Sequence, residues 1–300
     1  MDMSISDTGA VPLTHRGVIR AHGADAVSFL QGQLTNDLVS MGLDESRLAG
    51  FCSAKGRLQA SFLVWKVAAD ELLLVCSHDL LAATLKRLSM FVLRAKCKLT
   101  DATAQVPLHG VMGGPALVLT GTAGVWGTRT VDARTVVRLP DVAGMVRCLV
   151  AGPALEAVPS MSLEHWRWSD VQSGVPWIEA ATVDQFVPQM LNFELLGGVD
   201  FSKGCYPGQE VVARSQYRGT LKRRMFRFDA QVPLAPGQEV IADDDPGQPA
   251  GMVVNAAPAP GGGWSALVEA KLASVESAHL HVGSVDGAPL QRASLPYALA

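Results

Sequence analysis

The sequence predicts an α+β fold of several lobes, and three observations lead to this prediction. The chain has 300 residues, of which 48% are hydrophobic and 18% charged, so it can bury a large core. Groups of short strands alternate with amphipathic helices at hairpin-like spacing, which favours α+β lobes over a doubly wound parallel sheet. No G-x-G-x-x-G follows a predicted strand, so the main sign of a dinucleotide-binding fold is absent.

The N-terminal third contains the clearest secondary-structure patterns. Leucines on one stripe between residues 79 and 91 predict an amphipathic helix. Two β-rich runs around the turn at 54–57 predict a hairpin, and alternating apolar and polar residues at 93–99 predict a half-exposed strand. In chain order, the predicted elements are a strand at 18–21, a helix from 25, hairpin strands at 49–53 and 58–65, a buried strand at 71–76, the helix at 79–91 and the strand at 93–99.

The middle of the chain predicts a second lobe, with strands at 116–119, 135–139 and 145–150 and a helix at 162–171. Beyond residue 220, turn chemistry at 236–237, 244–247 and 258–263 separates short apolar runs at 239–242, 251–254 and 265–268. Short runs between dense turns are typical of a small barrel or sandwich. We therefore predict a region over residues 15–220, with lobes of roughly 15–105 and 106–220, followed by a β-barrel domain over 221–300.

Composition also bounds the compartment and the partners. The net charge of −3 argues against a nucleic-acid-binding surface along the whole chain. Five cysteines without C-x-x-C spacing encode neither a disulfide framework nor a zinc module. The N-terminal residues resemble no signal peptide and no apolar run reaches the length of a membrane span, so we expect a soluble, cytoplasmic protein.

One segment, residues 197–227, combines a loop cysteine with a dense set of cations. Gly204 and the pair Pro207-Gly208 flank Cys205, and Lys203 lies two residues before it. Residues 203–227 hold seven positive charges and one negative charge, a net of +6. Nearby cations and free backbone N–H groups favour a thiolate, although a lone cysteine is also commonly a small buried hydrophobe. The cation cluster is either a solvated strand and turn or a binding site for an anion.

The string K-G-C-Y-P-G-Q-E at residues 203–210 matches the K-G-C-Y-x-G-Q-E signature of the YgfZ-type folate-binding family. Ala213-Arg214 and Arg218-Gly219 extend the match. Further segments that resemble the family lie at 29–37, 55–57, 174–178 and 186–192.

This family is similar in fold to the aminomethyltransferase, or T-protein, of the glycine cleavage system. The resemblance implies two intertwined α+β lobes around a central tetrahydrofolate pocket, a small C-terminal β-barrel, and a first lobe that can be discontinuous in sequence. It also implies a role in maintaining iron–sulfur enzymes, including those that thiolate tRNA. The partners implied are folate and such client enzymes, without a resident metal, a membrane or direct nucleic-acid binding.

Two departures separate this chain from the transferases that it resembles. Their carboxylate after the hairpin glycine, which assists transfer of the one-carbon unit, corresponds to Ala60-Ser61, and neither side chain can act as a carboxylate base. Their Glu that holds the pterin edge corresponds to Gln172. An amide can still pair with that edge but holds it less tightly than a carboxylate, so the resemblance implies a pocket without the transfer chemistry.

The resemblance and the residue chemistry together assign the candidate site. Cys205 is the candidate thiolate, with Lys203 and Arg214 as the cations that favour it. The expected folate contacts are Gln172, Asn36, Tyr206 and Arg218. The rest of the signature loop, which shapes the backbone and holds it by hydrogen bonds, is Gly204, Gly208, Gln209 and Glu210. Each side chain has a plainer alternative: Tyr206 as a packing aromatic, Gln209 facing solvent and Glu210 as a first-turn helix charge.

Two rival functions remain open at this point. One is a folate-dependent aminomethyl- or methyltransferase, against which the missing carboxylate counts. The other is a non-enzymatic iron–sulfur scaffold or accessory protein, in which one cysteine supplies a single ligand of a shared site, since clusters need about four. A direct role in RNA binding is weaker, because Tyr217, Phe226 and Phe228 are expected to pack against a strand rather than stack on bases.

Overall fold

The computed structural model describes residues 8–156, 158–218 and 221–299, so Gly219 of the extended signature match and residues 1–7 lie outside the described residues. The strands are β1 (Gly9–Pro12), β2 (Arg16–His22), β3 (Ser46–Cys52), β4 (Leu58–Ala68), β5 (Glu71–Ser77), β6 (Lys98–Asp101), β7 (Leu108–Met112), β8 (Thr128–Val131), β9 (Arg134–Val142), β10 (Met145–Ala151), β11 (Arg223–Ala230), β12 (Glu239–Ala242), β13 (Asp245–Pro258), β14 (Trp264–Lys271), β15 (Leu280–Val282) and β16 (Gln291–Ala293). The helices are α1 (Ala26–Gln31), α2 (His78–Ser89), α3 (Gly114–Thr120), α4 (Leu163–Gln172), α5 (Gln209–Tyr217) and α6 (Leu272–Ser277). No helix in these described ranges is long and apolar enough to cross a membrane.

The first sheet contains the predicted hairpin. Its strand order is β3-β4-β5-β2-β6, with antiparallel pairing throughout. The hairpin prediction is confirmed, because β3 and β4 pair from Ser46 opposite Trp65 to Cys52 opposite Leu58. Strand β5 has a neighbour on each side, which explains why its apolar run is buried almost from end to end.

The second sheet takes its strands from two distant parts of the chain. Its order is β1-β7-β10-β9-β8, so β1 enters this sheet before the chain builds the whole first sheet and returns at β7. The two sheets are therefore intertwined in sequence, and one lobe is discontinuous. The predicted boundary near residue 105 remains a prediction.

The third sheet contains the strands of the C-terminal part. Its order is β15-β12-β13-β14-β11-β16, and it curls into a half-barrel around an apolar core. Residues 258–263 form the hairpin connection from β13 to β14, as predicted.

Three local predictions were wrong. Residues 116–119 belong to helix α3, because Ala116 and Thr120 are buried one helical turn apart while Val118 is 80% exposed. Residues 93–96 form bends and residue 97 has no regular structure, since Leu93 is 86% exposed and only residues 98–101 find a partner in β2. The turn expected at 244–247 lies at 243–244, and β13 already begins at Asp245.

A buried charge network joins the two N-terminal sheets through α4. Asp170 on α4 accepts from Arg16 of β2 at 3.2 Å and from Arg147 of β10. Each guanidinium also lies over an indole ring, Arg16 over Trp177 at 3.9 Å and Arg147 over Trp166 at 4.5 Å. Since the two arginines are buried and share one carboxylate, the network fixes the sheets relative to α4.

Candidate functional site

The signature segment forms a loop that leads directly into α5. Gly208 is the residue before the helix and has a φ of 78°, a conformation that favours glycine. Val212 is fully buried, so the helix is pinned to the core on one side. Cys205 lies in the loop and is exposed.

Cys205 is alone among the five cysteines, all of which are described, in being exposed. Burial raises the pKa of the thiols of Cys52, Cys76 and Cys148 to about 12, so these three stay protonated and inert at neutral pH. Cys97 is half-buried, and burial raises its pKa as well. Cys205 is therefore the thiol that a partner or ligand can reach.

Lys203 holds the signature loop against the end of α1. Its ammonium group donates to the carbonyl oxygens of Gln31 and Leu34, the latter at 2.6 Å, at the C-terminal end of α1. It also lies 4.8 Å from the centre of the Tyr206 ring. Burial lowers the pKa of Lys203 to about 8, against the opposing electrostatic effect of Asp37, Asp200 and Cys205. Its charge thus acts near Cys205 while its hydrogen bonds fix the loop.

Residues 35–36 hold the chain just before the signature loop. The Thr35 hydroxyl donates to the Gly198 carbonyl at 2.6 Å and accepts from the Gly50 amide at 2.7 Å. The Asn36 amide donates to the carbonyls of Leu48 at 2.7 Å and Gly197 at 2.6 Å. The segment that resembles the family's first helix therefore supports the signature loop.

The hairpin turn packs directly against the start of α5. A Cβ atom placed on Gly208 would lie 2.4 Å from the Ser53 carbonyl oxygen and 2.6 Å from the Gly56 Cα. A Cβ on Gly56, whose φ is 71°, would lie 2.7 Å from the Val211 Cβ. The two backbones can approach this closely only because both positions are glycine. Gly204 differs, since a Cβ there meets no atom within 4 Å and its φ is not left-handed.

The segment at 186–192 holds the other side of α5. The fully buried Gln189 donates to the Val212 carbonyl at 2.8 Å, and the fully buried Asn192 donates to the Met225 carbonyl of β11 at 2.8 Å. Both residues belong to the segment at 186–192 that carries the resemblance, but the sequence assigns neither a role. Two amides inside an otherwise apolar run are the signal that could have identified them.

Four segments that carry the resemblance thus meet at one place: residues 29–37, 55–57, 186–192 and 203–210. They are distant in sequence and joined by hydrogen bonds or close backbone contact. Together they fix the position of the exposed Cys205 loop relative to the first sheet and the half-barrel. This arrangement places an exposed thiol on a surface loop that the rest of the chain holds in position.

The remaining signature residues take positions of different kinds. The Tyr206 ring is buried beneath the loop and packs against Lys203. This burial raises the pKa of the Tyr206 hydroxyl. Gln209 begins α5 and is half-buried, while Glu210 is exposed in the first turn. Arg214 is exposed in the last turn of α5, and Arg218 is exposed just beyond it.

The expected folate contacts engage different partners. Asn36 has both amide hydrogens on backbone carbonyls, which leaves no donor for a ligand. Gln172 is half-buried at the end of α4, and its side-chain oxygen accepts from Arg227 of β11. Arg218 lies beside Arg214 and Tyr217 on the surface of α5. Of these residues, Gln172 keeps an amide group with remaining hydrogen-bonding capacity.

The position that corresponds to the transferase carboxylate is closed by the chain itself. Ala60 is fully buried and Ser61 is 3% exposed. The Ser61 hydroxyl accepts from the Ile178 amide at 2.9 Å. This hydroxyl is thus committed to holding the chain segment after α4.

The basic cluster is smaller than the sequence suggests. Arg223 forms a two-pronged ion pair with the buried Glu269, and Arg224 pairs with Glu194. Arg227 donates to Gln172. The exposed cations of the segment are Arg214, Arg218 and Lys222. The cluster is therefore partly internal and neutralised, because its partners come from distant parts of the chain.

A cavity of about 360 Å³ lies between the hairpin turn and the half-barrel. Apolar side chains and two arginines line it, among them Arg57, Phe186, Met190, Arg223 and Met252. The buried Glu269 contributes a carboxylate that is paired with Arg223. Its size falls in the usual range for small-molecule sites, and it combines apolar walls with a few charged groups.

Comparison with known proteins gives relatives over most of the chain. The tRNA-modifying protein YgfZ of Sodalis glossinidius is 30% identical over 310 residues, which cover 96% of this chain and 93% of that protein. The tRNA-modifying protein YgfZ of Edwardsiella ictaluri is 31% identical over 226 residues, or 69% of this chain and 67% of its own. No family model matches the chain.

Among solved structures, the glycine cleavage system aminomethyltransferase T from Bartonella henselae matches with a TM-score of 0.75. The match covers 97% of this chain and 86% of that chain, at 16% sequence identity. This likeness shows the fold, and it confirms the two intertwined lobes with a C-terminal β unit that the resemblance implied.

Proposed function

The chain belongs to the YgfZ family, and from that premise we propose that it binds tetrahydrofolate and acts in tRNA modification by supporting the assembly or repair of iron–sulfur clusters in the modifying enzymes. The observation that carries the proposal is the exposed Cys205 on a loop that three other segments of the chain hold in place. The names of the relatives support tRNA modification as the process in which this thiol acts.

The chemistry of the proposal rests on a reactive thiol with a cation nearby. A thiolate is both a nucleophile and a metal ligand, and Lys203 places a positive charge near Cys205. A single cysteine cannot hold an iron–sulfur cluster, which needs about four ligands. Cys205 therefore supplies one ligand of a cluster whose other ligands come from a client enzyme.

The cavity beside the hairpin turn supports the folate part of the proposal. A reduced folate has a flat pterin ring and an anionic glutamate tail. Phe186 and Met252 offer apolar walls for the ring, and Arg57 offers a cation for a carboxylate. When bound, the folate supplies one-carbon chemistry. Gln172 does not line this cavity and stays a separate candidate for the pterin edge, whereas Asn36 has no donor left to contribute.

The rival function of a folate-dependent transferase has less support. Its reaction needs a carboxylate near the one-carbon unit, and the corresponding Ser61 is committed to the Ile178 amide. Turnover of tetrahydrofolate with an aminomethyl donor would restore this rival.

Calorimetry tests the folate part. We expect the wild-type protein to bind tetrahydrofolate, and Arg57→Ala to weaken the affinity about tenfold, the loss of one good hydrogen bond or ion pair. A comparable loss in Gln172→Ala would instead place the pterin edge at the end of α4, outside the cavity. Arg94→Ala, which removes an exposed cation on a bend of the first lobe, is the matched control. Absence of binding by the wild type would remove folate from the proposal.

Genetic replacement tests the role of the thiol. We expect Cys205→Ser to lower the level of thiolated tRNA nucleosides in the host as far as deletion of the gene does, and Cys97→Ser, the half-buried control, to leave it unchanged. Normal tRNA modification with Cys205→Ser would exclude the thiol. Anaerobic reconstitution followed by visible absorption separates the scaffold alternative, since a stable cluster on the isolated protein contradicts a purely transient ligand.

A further inference from the structure

The outer face of α5 presents charged and aromatic side chains at helical spacing. Glu210, Arg214, Tyr217 and Arg218 lie at i, i+4, i+7 and i+8, so they share one side of the helix. Together with Ala213 they line a surface concavity of about 320 Å³. The opposite side of α5 carries the fully buried Val212 and faces the hairpin turn. We call this set of four side chains the α5 face.

Tyr217 is the unusual member of this face. Its side chain is 71% exposed, and its ring meets Phe201 edge to face with 5.7 Å between the ring centres. The prediction that Tyr217 packs against a strand, as Phe226 and Phe228 do, was wrong, because Tyr217 lies on the solvent side of a helix. An exposed tyrosine steadied by a neighbouring ring is a platform on which a flat group can stack.

The two arginines beside Tyr217 are available for an anion. Within the described ranges, neither side chain takes part in a recorded ion pair or hydrogen bond, unlike Arg223 and Arg224. Lys222 is the next exposed cation along the chain. Cations spaced around an aromatic platform match the alternation of phosphates and bases in a single strand of nucleic acid.

We infer that the α5 face is a docking surface for single-stranded RNA, with a base stacked on Tyr217 and phosphates on Arg214 and Arg218. The inference rests on the proposed role in tRNA modification, which makes an RNA the partner with the matching charge. Helix α5 is about 13 Å long at 1.5 Å per residue, so a strand on this face lies within a few nucleotides of the Cys205 loop. Direct nucleic-acid binding was not expected from the sequence, and the exposure of Tyr217 is the observation that changes this expectation.

Fluorescence anisotropy with two labelled probes, an unmodified tRNA transcript and an oligouridylate of about twelve nucleotides, tests the inference. We expect Tyr217→Ala to weaken both affinities about tenfold, the order of magnitude of one lost stacking contact. We expect the double variant Arg214→Ala with Arg218→Ala to reduce the slope of log affinity against log salt by about 1.4 for the oligouridylate, or about 0.7 for each phosphate contact. Leu93→Ala and Arg94→Ala remove an exposed apolar side chain and an exposed cation elsewhere and are expected to change neither quantity.

Three results would overturn the inference. The first is no binding of either probe by the wild type at about 50 mM salt, and the second is binding that none of the α5 variants alters. The third is displacement of the RNA by polyglutamate at equal charge concentration, which would indicate an acidic protein as the partner. Calorimetry with tetrahydrofolate on Tyr217→Ala separates this inference from the proposed function, because folate binding is expected to survive in that variant. RNA binding without any effect of gene deletion on tRNA modification would instead overturn the proposed function alone.

Discussion

The hydrogen bonds and the charge of Lys203 respond differently to deprotonation. Its ammonium group contacts two backbone carbonyls of the α1 end, and burial lowers its pKa to about 8. A neutral amine still has two N–H donors, enough for these two carbonyls. The anchor of the loop can therefore survive deprotonation, whereas the positive charge near Cys205 cannot.

This lowered pKa predicts a pH dependence of stability. Between about pH 8 and the ordinary lysine value of 10.5, the unfolded chain binds a proton at Lys203 that the folded chain has released. Lys203 therefore contributes a rise in the free energy of unfolding of at most about 1.4 kcal/mol per pH unit across this window. The buried thiols of Cys52, Cys76 and Cys148 oppose it above about pH 9, because the unfolded chain releases their protons first. Urea unfolding between pH 7.5 and 10 measures the effect.

Comparison of two lysine variants isolates the contribution of Lys203. Lys203→Met should remove this upward contribution, so its free energy of unfolding should fall more steeply with pH than that of the wild type. Lys86→Met, which changes an exposed lysine of α2, should follow the wild type. An identical pH dependence in Lys203→Met and the wild type would show that another group is responsible.

Asn36 offers a second test at the scale of one residue. Asn36→Ala leaves the carbonyls of Leu48 and Gly197 without their donors, so we expect a loss of about 2–4 kcal/mol in the free energy of unfolding. Asn36→Asp keeps the size of the side chain but also removes the amide NH2 donor, so the free energy of unfolding should fall by a similar amount. Affinity for tetrahydrofolate, measured by calorimetry at a temperature where both variants are folded, should stay unchanged. Weakened folate binding with unchanged stability would restore the contact that the sequence resemblance implies.

At the scale of elements, the contact between the hairpin turn and α5 depends on two glycines. Gly208→Ala forces a side chain into a left-handed backbone and against the Ser53 carbonyl, with 2.4 Å available. We expect it to lower the free energy of unfolding by at least about 2 kcal/mol and to change the alkylation rate of Cys205, since the loop must move.

Gly204→Ala is the matched control in the same loop. No atom lies within 4 Å of its Cβ position, so it should change stability by less than about 0.5 kcal/mol. Urea unfolding and iodoacetamide labelling measure the two effects. Equal stability of the two alanine variants would contradict the close approach of the hairpin turn and α5.

The sequence predicts those elements whose cause is local. The hairpin around residues 54–57 depends on turn chemistry between two apolar runs, and α2 depends on its own leucine stripe. Helix α3 was missed because the apolar residues 116–119 suit a strand equally well, and only the buried face that the second sheet provides selects the helix.

In the candidate site, too, the sequence predicts the features with a local cause and misses those that depend on distant residues. The signature loop and the exposure of Cys205 follow from residues close together in sequence. The pairing of Arg223 with Glu269 and of Arg224 with Glu194 joins residues 46 and 30 positions apart, so no local pattern could show that these charges are neutralised. The contact of Asn36 with Gly197 likewise depends on the folded arrangement of two distant segments.

At the scale of the whole molecule, the order of the chain makes the two N-terminal sheets depend on each other. Strand β1 pairs with β7, and the chain reaches β7 only after it has passed through the entire first sheet. One apolar core also draws side chains from both sheets, including Trp65 from the first and Leu149 from the second. We therefore expect the two sheets to unfold together.

The charge network around Asp170 is the sharpest test of that coupling. Asp170→Asn leaves the buried guanidiniums of Arg16 and Arg147 without a counter-charge in α4, so we expect a loss of about 3–5 kcal/mol in the free energy of unfolding. Asp141→Asn is the control, since it breaks an ion pair with Arg138 in which the carboxylate is 45% exposed, and it should lose less than about 1 kcal/mol. Urea unfolding followed by tryptophan fluorescence reports on the network directly, because Trp166 and Trp177 lie against the two arginines. A single transition shifted to lower urea confirms that the sheets share one cooperative unit, whereas two separate transitions in Asp170→Asn would show that α4 joins units that fold independently.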